Sequence, residues 1–473
     1  MNVESKVRTV WPLYALLLIA GTLAIGLMLH IAPEYGLGPA NGSELTAKPG
    51  LPDDIEVRLR APLVILLLQI LSIVTLGRLA GKLALRLGQP SVFGEIIAGI
   101  LLGPSVFGWA SPAAQQWLFP SSSMGSLHLL SQLGVVIFLF GSGAEINITL
   151  LRRYGVHILL VSHASIILPF ALGMGCAFWF YAAYTPPHGT FADFALFMGV
   201  AMSITAFPVL VRILRERGLG GTHIGDMATA CAAVADVSVW CLLICVIAIS
   251  QASSAKSALG HVGMTLAWSI LLLGVVRPML SRLRFDQKHT GSAIALLVLF
   301  ALASATIAEL IGVHALFGAF IAGAAIASHP GLRATILERI EPLPLALLLP
   351  LFFAFTGLRT HINMLNSQDW LMCAGIVLLA TAGKLGGASL AARLAGSSWR
   401  DACLLGILMN TRGAMELVVL NIGYDMGFLS DRAFAIMVLM TLITTFATGP
   451  LLCLKTFSNA LRPPARAPLP DPH

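Results

Sequence analysis

Two charged residues stand alone inside long apolar stretches of this sequence. Asp236 lies in the segment ATACAAVADVSVWCLLICVIAIS, and Lys384 lies in WLMCAGIVLLATAGKLGGASLAARL. A carboxylate at the centre of a lipid bilayer costs roughly 2.5–3.5 kcal/mol on insertion scales, so such groups usually bind an ion, carry a proton or pair with another buried group. Two isolated opposite charges at membrane depth therefore predict a transport function, with Lys384 as a candidate partner for Asp236.

The composition predicts an all-α polytopic membrane protein. Of 473 residues, 57% are hydrophobic and only 11% are charged, whereas soluble domains usually carry about 25% charged residues. Apolar runs recur along the chain, each long enough to cross a hydrocarbon core of about 30 Å. The sequence contains no nucleophile–base constellation, metal-ligand cluster or glycine-rich phosphate loop. It therefore predicts neither an enzyme nor a cofactor.

About fourteen membrane crossings are predicted from the apolar runs. They lie near residues 11–30, 61–86, 90–108, 124–146, 155–183, 190–215, 223–249, 257–280, 289–309, 312–330, 340–360, 369–395, 399–424 and 430–456. The first is an extra N-terminal helix before a polar loop, and we expect an uncleaved signal anchor there rather than a cleaved signal peptide. The predicted organisation is this helix and loop over 1–60, a transmembrane domain over 61–456 and a short Pro-rich cytoplasmic tail over 457–473.

The distribution of Lys and Arg orients the predicted spans. With a cytoplasmic N-terminus, most of the 29 Lys and Arg residues fall on the cytoplasmic side, as the positive-inside rule requires. This orientation puts both termini in the cytoplasm, and a bacterial-type inner membrane is the expected location. The net charge of +7 follows from this topology and gives no support to nucleic-acid binding.

Two of the predicted spans are interrupted near their centres. Span 190–215 contains the run Ser-Ile-Thr-Ala-Phe-Pro that ends at Pro208, and proline removes a backbone donor and clashes with the preceding turn. Span 399–424 contains Met-Asn-Thr-Arg-Gly-Ala-Met-Glu over 409–416. Irregular backbone at this depth is tolerated only where it is buried in protein or lines a wet cavity. Both segments therefore predict broken helices inside the bundle.

The order of the interrupted spans predicts an internal symmetry. Without the N-terminal helix they are the fifth and the twelfth of thirteen spans, so they run in opposite directions. This fits two inverted six-helix repeats joined by a linker helix, with a substrate site where the broken helices meet. Asp236 lies on the span after the first broken helix, and Lys384 lies on the span before the second. All four elements are expected to converge at the midplane.

Five motifs resemble one transporter family. They are AMSITAFPVLVRILRERGL, GVHALFGAFIAGAAI, LPLFFAFTGLRTHI, GKLGGASLAARLAG and LMNTRGAMELVVLNIG. They resemble the sodium/proton exchanger domain of the second monovalent cation:proton antiporter family, the NapA, Kef and plant cation/H⁺ exchanger group, over residues 61–456. The resemblance implies a thirteen-helix fold with two crossed broken helices, a dimerisation domain and a mobile core domain. It further implies an elevator-like movement and a homodimer.

The resemblance also implies roles for individual residues. Asp236 matches the aspartate that binds the cation and the proton, and Lys384 matches the lysine that partners this site. Thr205 with its neighbours and residues 410–416 match the core of the crossed helices. Apart from the resemblance, hard cations prefer oxygen ligands, which Ser203 and Thr205 could supply. The candidates for a coupling or core network are Lys384, Asn410, Thr411, Arg412 and Glu416. The sequence departs from the family at Ala235, where Asp, Asn or Gln usually precedes the binding aspartate.

These residues predict proton-coupled exchange of a monovalent cation. One carboxylate can hold a proton or a cation but not both, so competition at Asp236 couples the two fluxes when the site faces each side alternately. Because Ala235 leaves only one titrating carboxylate, electroneutral exchange is the simpler expectation. The sequence does not separate Na⁺ from K⁺. A Kef-like potassium efflux system with a regulatory partner subunit, a transporter of another solute and an inactive sensory protein stay open as alternatives.

Overall fold

The computed structural model describes residues 59–146, 148–184, 190–217, 219–251, 255–282 and 290–452. The predicted N-terminal helix near 11–30 and the predicted tail over 457–473 lie outside the described residues. Within these ranges the secondary structure is entirely helical, as the sequence predicts.

Nineteen α-helices are described in chain order. They are α1 (Pro62–Arg86), α2 (Ser91–Leu102), α3 (Phe107–Ala110), α4 (Pro112–Leu118), α5 (Ser121–Ala144), α6 (Ile148–Tyr184), α7 (Phe191–Ser203), α8 (Phe207–Glu216), α9 (His223–Gln251), α10 (Ala255–Ile270), α11 (Arg277–Ser281), α12 (Thr290–Ile311), α13 (Ala315–Ile326), α14 (Pro330–Thr335), α15 (Leu349–Leu358), α16 (Ser367–Leu394), α17 (Trp399–Met409), α18 (Ala414–Asp425) and α19 (Asp431–Leu452). Short π-helical segments cover Leu271–Val276, Ile336–Ile340 and Pro344–Leu348, and one 3₁₀ turn covers Ile362–Met364.

Local sequence signals explain where the long helices begin and end. Helix α1 starts with a proline in its first turn, where the missing N–H is not needed. It stops just before Gly88, whose φ of 72° is unfavourable for residues with a side chain. Helix α16 begins with a capping box, in which Asn366 and Asp369 satisfy each other's backbone N–H groups.

Ten helical spans in the described ranges are long and apolar enough to cross a membrane, or eleven if the bent pair α17–α18 is one span. The chain is therefore a polytopic helical membrane protein. The predicted spans 190–215 and 312–330 contain shorter apolar helices instead, α7 with 13 residues and α13 with 12. The exact number of thirteen crossings therefore stays a prediction.

The helices pack most extensively within two groups. We call α1–α5 with α12–α15 the first bundle, and α6–α9 with α16–α19 the second bundle. Helix α10 joins them and packs against both α9 and α12. Between the bundles, the main contacts are those of α15 with α18 and of the 3₁₀ turn with α19. Helices thus pack more extensively within each bundle than between the bundles, and buried apolar residues of both bundles form one continuous core.

Close backbone approach at glycines holds the first bundle together. A Cβ atom at Gly143 in α5 would lie 2.1 Å from the carbonyl oxygen of Phe320 in α13. Reciprocally, a Cβ atom at Gly323 in α13 would lie 2.0 Å from the carbonyl oxygen of Phe140 in α5. Only glycine permits this crossing distance, and small residues are the usual means of close helix packing in membranes.

Candidate functional site

Two helices of the second bundle are broken where the sequence predicts interruptions. Helix α7 ends at Ser203 and α8 begins at Phe207, with Pro208 in the first turn of α8. Helix α17 ends at Met409, and α18 begins after Gly413, with a bend of 46° between the two helices. Gly413 has a φ of 150°, a backbone conformation that residues with a side chain rarely adopt.

The two breaks cross and bond to each other. The backbone N–H of Ala206 donates to the carbonyl of Thr411 at 2.9 Å. The hydroxyl of Thr205 donates to the carbonyl of Met409 at 3.2 Å. A helix break releases backbone groups that have no water to bind inside a membrane. Here each break satisfies groups of the other, so one backbone hydrogen bond and one hydroxyl–carbonyl hydrogen bond fix the crossing.

Lys384 reaches the first break from α16. Its fully buried ammonium donates to the carbonyl of Ser203 and, at 2.6 Å, to the hydroxyl oxygen of Thr205. The C-terminal end of a helix carries partial negative charge, which favours a cation at this position. In the part of the chain that the structure describes, Lys384 forms no ion pair with Asp236. In this conformation its ammonium contacts the residues predicted as cation ligands.

Arg412 and Glu416 form a buried ion pair that ties the breaks together. The Arg412 guanidinium donates to the Glu416 carboxylate at 2.8 Å, and both side chains are fully buried. The same guanidinium donates to the carbonyls of Ala201 at 3.3 Å and Met202 at 2.7 Å, in the last turn of α7. Glu416 lies in the first turn of α18, at the positive end of that helix. The pair therefore neutralises two helix ends.

The other predicted residues lie at the same crossing. The hydroxyl of Ser203 is within donating distance of the carbonyls of Gly199 at 2.7 Å and Ile166 at 3.0 Å. Asn410 and Thr411 form the backbone of the second break, and both are buried. A hydroxyl that donates its proton keeps lone pairs that can accept a cation. The crossing thus concentrates oxygen atoms at one depth.

Asp236 lies in α9, which packs against α7, α8 and α17 and so lies beside both breaks. Its side chain is only 4% exposed. Across the described ranges it has no ion pair, whereas Glu416 and Asp369 are each paired with an arginine. Its neighbour Ala235 is fully buried and adds no polar group. The Asp236 carboxylate is therefore a buried acidic group without an ion-pair partner among the described residues.

Sequence reasoning missed a second charged cluster, at the end of the bundles where α5 and α15 meet α18. The Arg359 guanidinium donates to the Asp425 carboxylate at 2.6 Å, and Nε2 of His128 lies 3.3 Å from the same carboxylate. Nearby, the Asn421 amide donates to the Thr356 hydroxyl at 2.8 Å. Opposite charges next to apolar spans were visible in the sequence, but nothing there indicated that these three helices meet.

Comparison with known proteins gives a family and several relatives. Residues 70–454 match the family described as sodium/hydrogen exchanger, transmembrane. The chain is 38% identical over 395 residues to the Na(+)/H(+) antiporter NhaS4 of Synechocystis sp., covering 82% of this chain and 96% of that one. The relatives are transporters, which confirms the prediction that the protein is not an enzyme.

Two eukaryotic relatives match over the same part of the chain. Cation/H(+) antiporter 19 of Arabidopsis thaliana is 39% identical over 83% of this chain, and the match spans 50% of its own length. K(+)/H(+) antiporter 1 of Saccharomyces cerevisiae is 34% identical over 77% of this chain and 43% of its own length. The present chain thus spans about half the length of these relatives.

A solved structure has the same fold. The sodium proton antiporter MjNhaP1 of Methanocaldococcus jannaschii superposes with a TM-score of 0.60, covering 85% of this chain and 99% of that chain. The sequence identity is 16%, so this likeness concerns the fold alone.

Proposed function

Since this chain belongs to the sodium/hydrogen exchanger transmembrane family, we propose that it exchanges a monovalent cation, Na⁺ or K⁺, for protons across a membrane. The observation that carries this proposal is the buried Asp236 carboxylate, which has no ion-pair partner in the described ranges and lies on a helix that packs against both breaks. The relatives named above include both a Na⁺/H⁺ and a K⁺/H⁺ antiporter. The choice between the two ions therefore stays part of the proposal.

The contacts of Lys384 support a way to couple the two ions. Its ammonium is bonded to oxygen atoms of Ser203 and Thr205, and hard cations seek the same type of ligand. When the ammonium moves away, these oxygens and the Asp236 carboxylate become available to the transported cation. When a proton occupies Asp236 instead, the cation loses its only anionic ligand and leaves.

Alternating access would follow from movement of the second bundle against the first. Both breaks, Asp236 and Lys384 belong to the second bundle, and the charged groups of Lys384, Arg412 and Glu416 are bonded within it. The helices of the second bundle pack less extensively against the first bundle than against each other. These features favour an elevator-like movement of two inverted six-helix repeats in a thirteen-helix fold, with one further N-terminal helix.

The remaining features of the proposal rest on the sequence. One titrating carboxylate beside Ala235 favours one-for-one, electroneutral exchange. The positive-inside bias favours cytoplasmic termini in a bacterial-type inner membrane. The family resemblance favours a homodimer, with the exchanger domain over 61–456 between an N-terminal segment over 1–60 and a tail over 457–473.

The proposal is tested by relaxation of an imposed pH gradient in everted vesicles. Na⁺, K⁺ and Li⁺ are added in turn to the wild type, to Asp236→Asn and to Asp226→Asn, a matched substitution in the first turn of the same helix. We expect at least one cation to relax the gradient in the wild type and in the control, with no relaxation in Asp236→Asn. Folded wild-type protein that responds to none of the cations would overturn the proposal.

A further inference from the structure

Buried polar side chains without a hydrogen-bond partner concentrate at the second break. Among the described residues they include both amide atoms of Asn410 and the hydroxyl of Thr411. These residues are 1% and 0% exposed. Buried polar groups in native proteins are nearly always bonded to protein, water or an ion. Three such atoms on two consecutive residues therefore indicate partners that the described protein atoms do not supply, and the two oxygens among them can bind a cation.

The backbone of the same segment is satisfied. The N–H of Asn410 donates to the Gly406 carbonyl at 3.1 Å, and the Thr411 carbonyl accepts the Ala206 N–H at 2.9 Å. The Met409 carbonyl accepts the Thr205 hydroxyl at 3.2 Å. The break is thus held by its backbone, and its side chains are left for another partner.

The ion pair beside these residues does not supply that partner. The Arg412 guanidinium is directed to Glu416 and to two carbonyls of α7. The Thr441 hydroxyl, which lies near the Glu416 carboxylate, donates to the Met437 carbonyl at 2.9 Å. The charges of Arg412 and Glu416 balance each other. The Asn410 amide oxygen and the Thr411 hydroxyl oxygen beside them are neutral groups that can bind a cation.

Neutral oxygens on a helix break that packs against the helix of Asp236 suit a monovalent cation. Amide and hydroxyl oxygens replace water around a hard cation without adding negative charge. Helix α9, which carries Asp236, packs against α17, whose last residue precedes Asn410. We propose that Asn410 and Thr411 supply neutral oxygen ligands to the transported cation at the crossing and set the preference between Na⁺ and K⁺. This inference rests on the proposed exchange function.

A purely structural role for the two side chains makes a different prediction. If Asn410 and Thr411 only filled space, their replacement would alter folding or the maximal rate and leave the cation dependence unchanged. A ligand role changes the KM for the cation and changes it differently for Na⁺ and K⁺. The two roles are therefore separated by the split between KM and kcat, measured for both ions.

The test uses the full chain in proteoliposomes with an imposed pH gradient. Thr411→Val is nearly isosteric and removes the hydroxyl, and Asn410→Ala removes both amide atoms. The matched control is Thr448→Val, because Thr448 is equally buried but its hydroxyl is bonded at 3.2 Å to Thr444 of its own helix. KM and kcat are measured for Na⁺ and for K⁺, and melting temperatures are recorded in detergent.

We expect Thr411→Val and Asn410→Ala to raise the KM of the preferred cation by about tenfold, as expected for loss of one ligand. The ratio of the two KM values should change, whereas kcat and the melting temperature stay close to wild type, as they do in Thr448→Val. If the wild type exchanges ions and both variants keep its KM values and their ratio, this inference alone would be overturned. A wild type without exchange would overturn the proposed function instead. If Asn410→Ala does not fold, Thr411→Val decides the question.

Discussion

Two charged clusters of this protein differ in which helices they connect. The crossing cluster, Lys384, Arg412 and Glu416, joins only helices of the second bundle. The end cluster, His128, Arg359 and Asp425, joins α5 and α15 of the first bundle to α18 of the second. If the bundles move against each other as proposed, the crossing cluster can travel intact, whereas the end cluster has to open.

The two clusters also differ in burial. The crossing pair Arg412–Glu416 is fully buried, whereas Arg359 and Asp425 are 20% and 29% exposed. Removing one partner of a buried pair costs about 3–5 kcal/mol, because the other charge is left in an apolar interior. Pairs open to solvent contribute about 0.2–1 kcal/mol. The crossing cluster is thus suited to holding a structure, and the end cluster is suited to being broken and reformed.

The largest effect is expected from breaking the crossing pair. Glu416→Gln leaves the buried Arg412 guanidinium without its counter-charge and should lower the free energy of unfolding by about 3–5 kcal/mol. Melting of the purified protein in detergent measures the loss. The control is Glu338→Gln, at an exposed glutamate, which should stay within about 0.5 kcal/mol of wild type. Equal melting temperatures of Glu416→Gln and Glu338→Gln would contradict the stabilising role of the buried crossing pair.

The next effect concerns the rigidity of the first bundle. Gly143→Ala puts a Cβ atom 2.1 Å from the Phe320 carbonyl oxygen, so α5 and α13 have to separate, at a cost of about 1–3 kcal/mol. Gly175→Ala in α6, where no atom lies within 4 Å of the new Cβ, should be neutral or stabilising by about 0.5–1 kcal/mol. Melting temperatures decide, and a Gly143→Ala variant as stable as wild type would remove the evidence for a rigid first bundle.

Much of the helix pattern was predictable from the sequence, because apolar length and proline or glycine act locally. The spans 61–86 and 223–249 agree with α1 and α9 within two residues, and both breaks lie where polar residues, Pro208 and Gly413 interrupt an apolar run. The family assignment is confirmed as well. These features depend on neighbours in the chain, which a sequence displays directly.

Partners distant in the sequence were harder to predict. The sequence suggests Asp236 as a partner of Lys384, but in this conformation the ammonium bonds a backbone carbonyl and a hydroxyl. Carbonyl acceptors leave no trace in a residue pattern, since every residue has one. The end cluster was missed for a related reason, because the Arg359–Asp425 pair depends on how α15 lies against α18.

A smaller effect on stability, but a measurable one on rate, is expected in the end cluster. Arg359→Gln and Asp425→Asn each remove the 2.6 Å ion pair between the bundles. If that pair opens in every cycle, each variant should raise kcat by up to about fivefold, equivalent to roughly 1 kcal/mol. The double variant should match the single ones, because both remove the same contact.

The control for the Arg359 and Asp425 variants is Arg393→Gln. Arg393 is an arginine near the end of α16 whose guanidinium donates to the Ser397 carbonyl at 3.1 Å within the second bundle. Its loss should leave kcat unchanged. Additive rates of Arg359→Gln and Asp425→Asn, or an equal effect of Arg393→Gln, would show that the end cluster does not restrain the bundles.

The smallest effect is expected at His128. Its Nε2 lies 3.3 Å from the Asp425 carboxylate, to which it can donate when protonated, and 3.1 Å from the Gln132 amide nitrogen, from which it can accept only when unprotonated. The ring can therefore bond to Asp425 of the second bundle or to Gln132 of its own helix, but not to both at once. Its ring also stacks on Phe355 at 5.0 Å, a contact within the first bundle. His128→Gln should therefore change kcat less than Arg359→Gln does, by about twofold or less. A larger effect of His128→Gln would make the histidine, and not the arginine, the main restraint between the bundles.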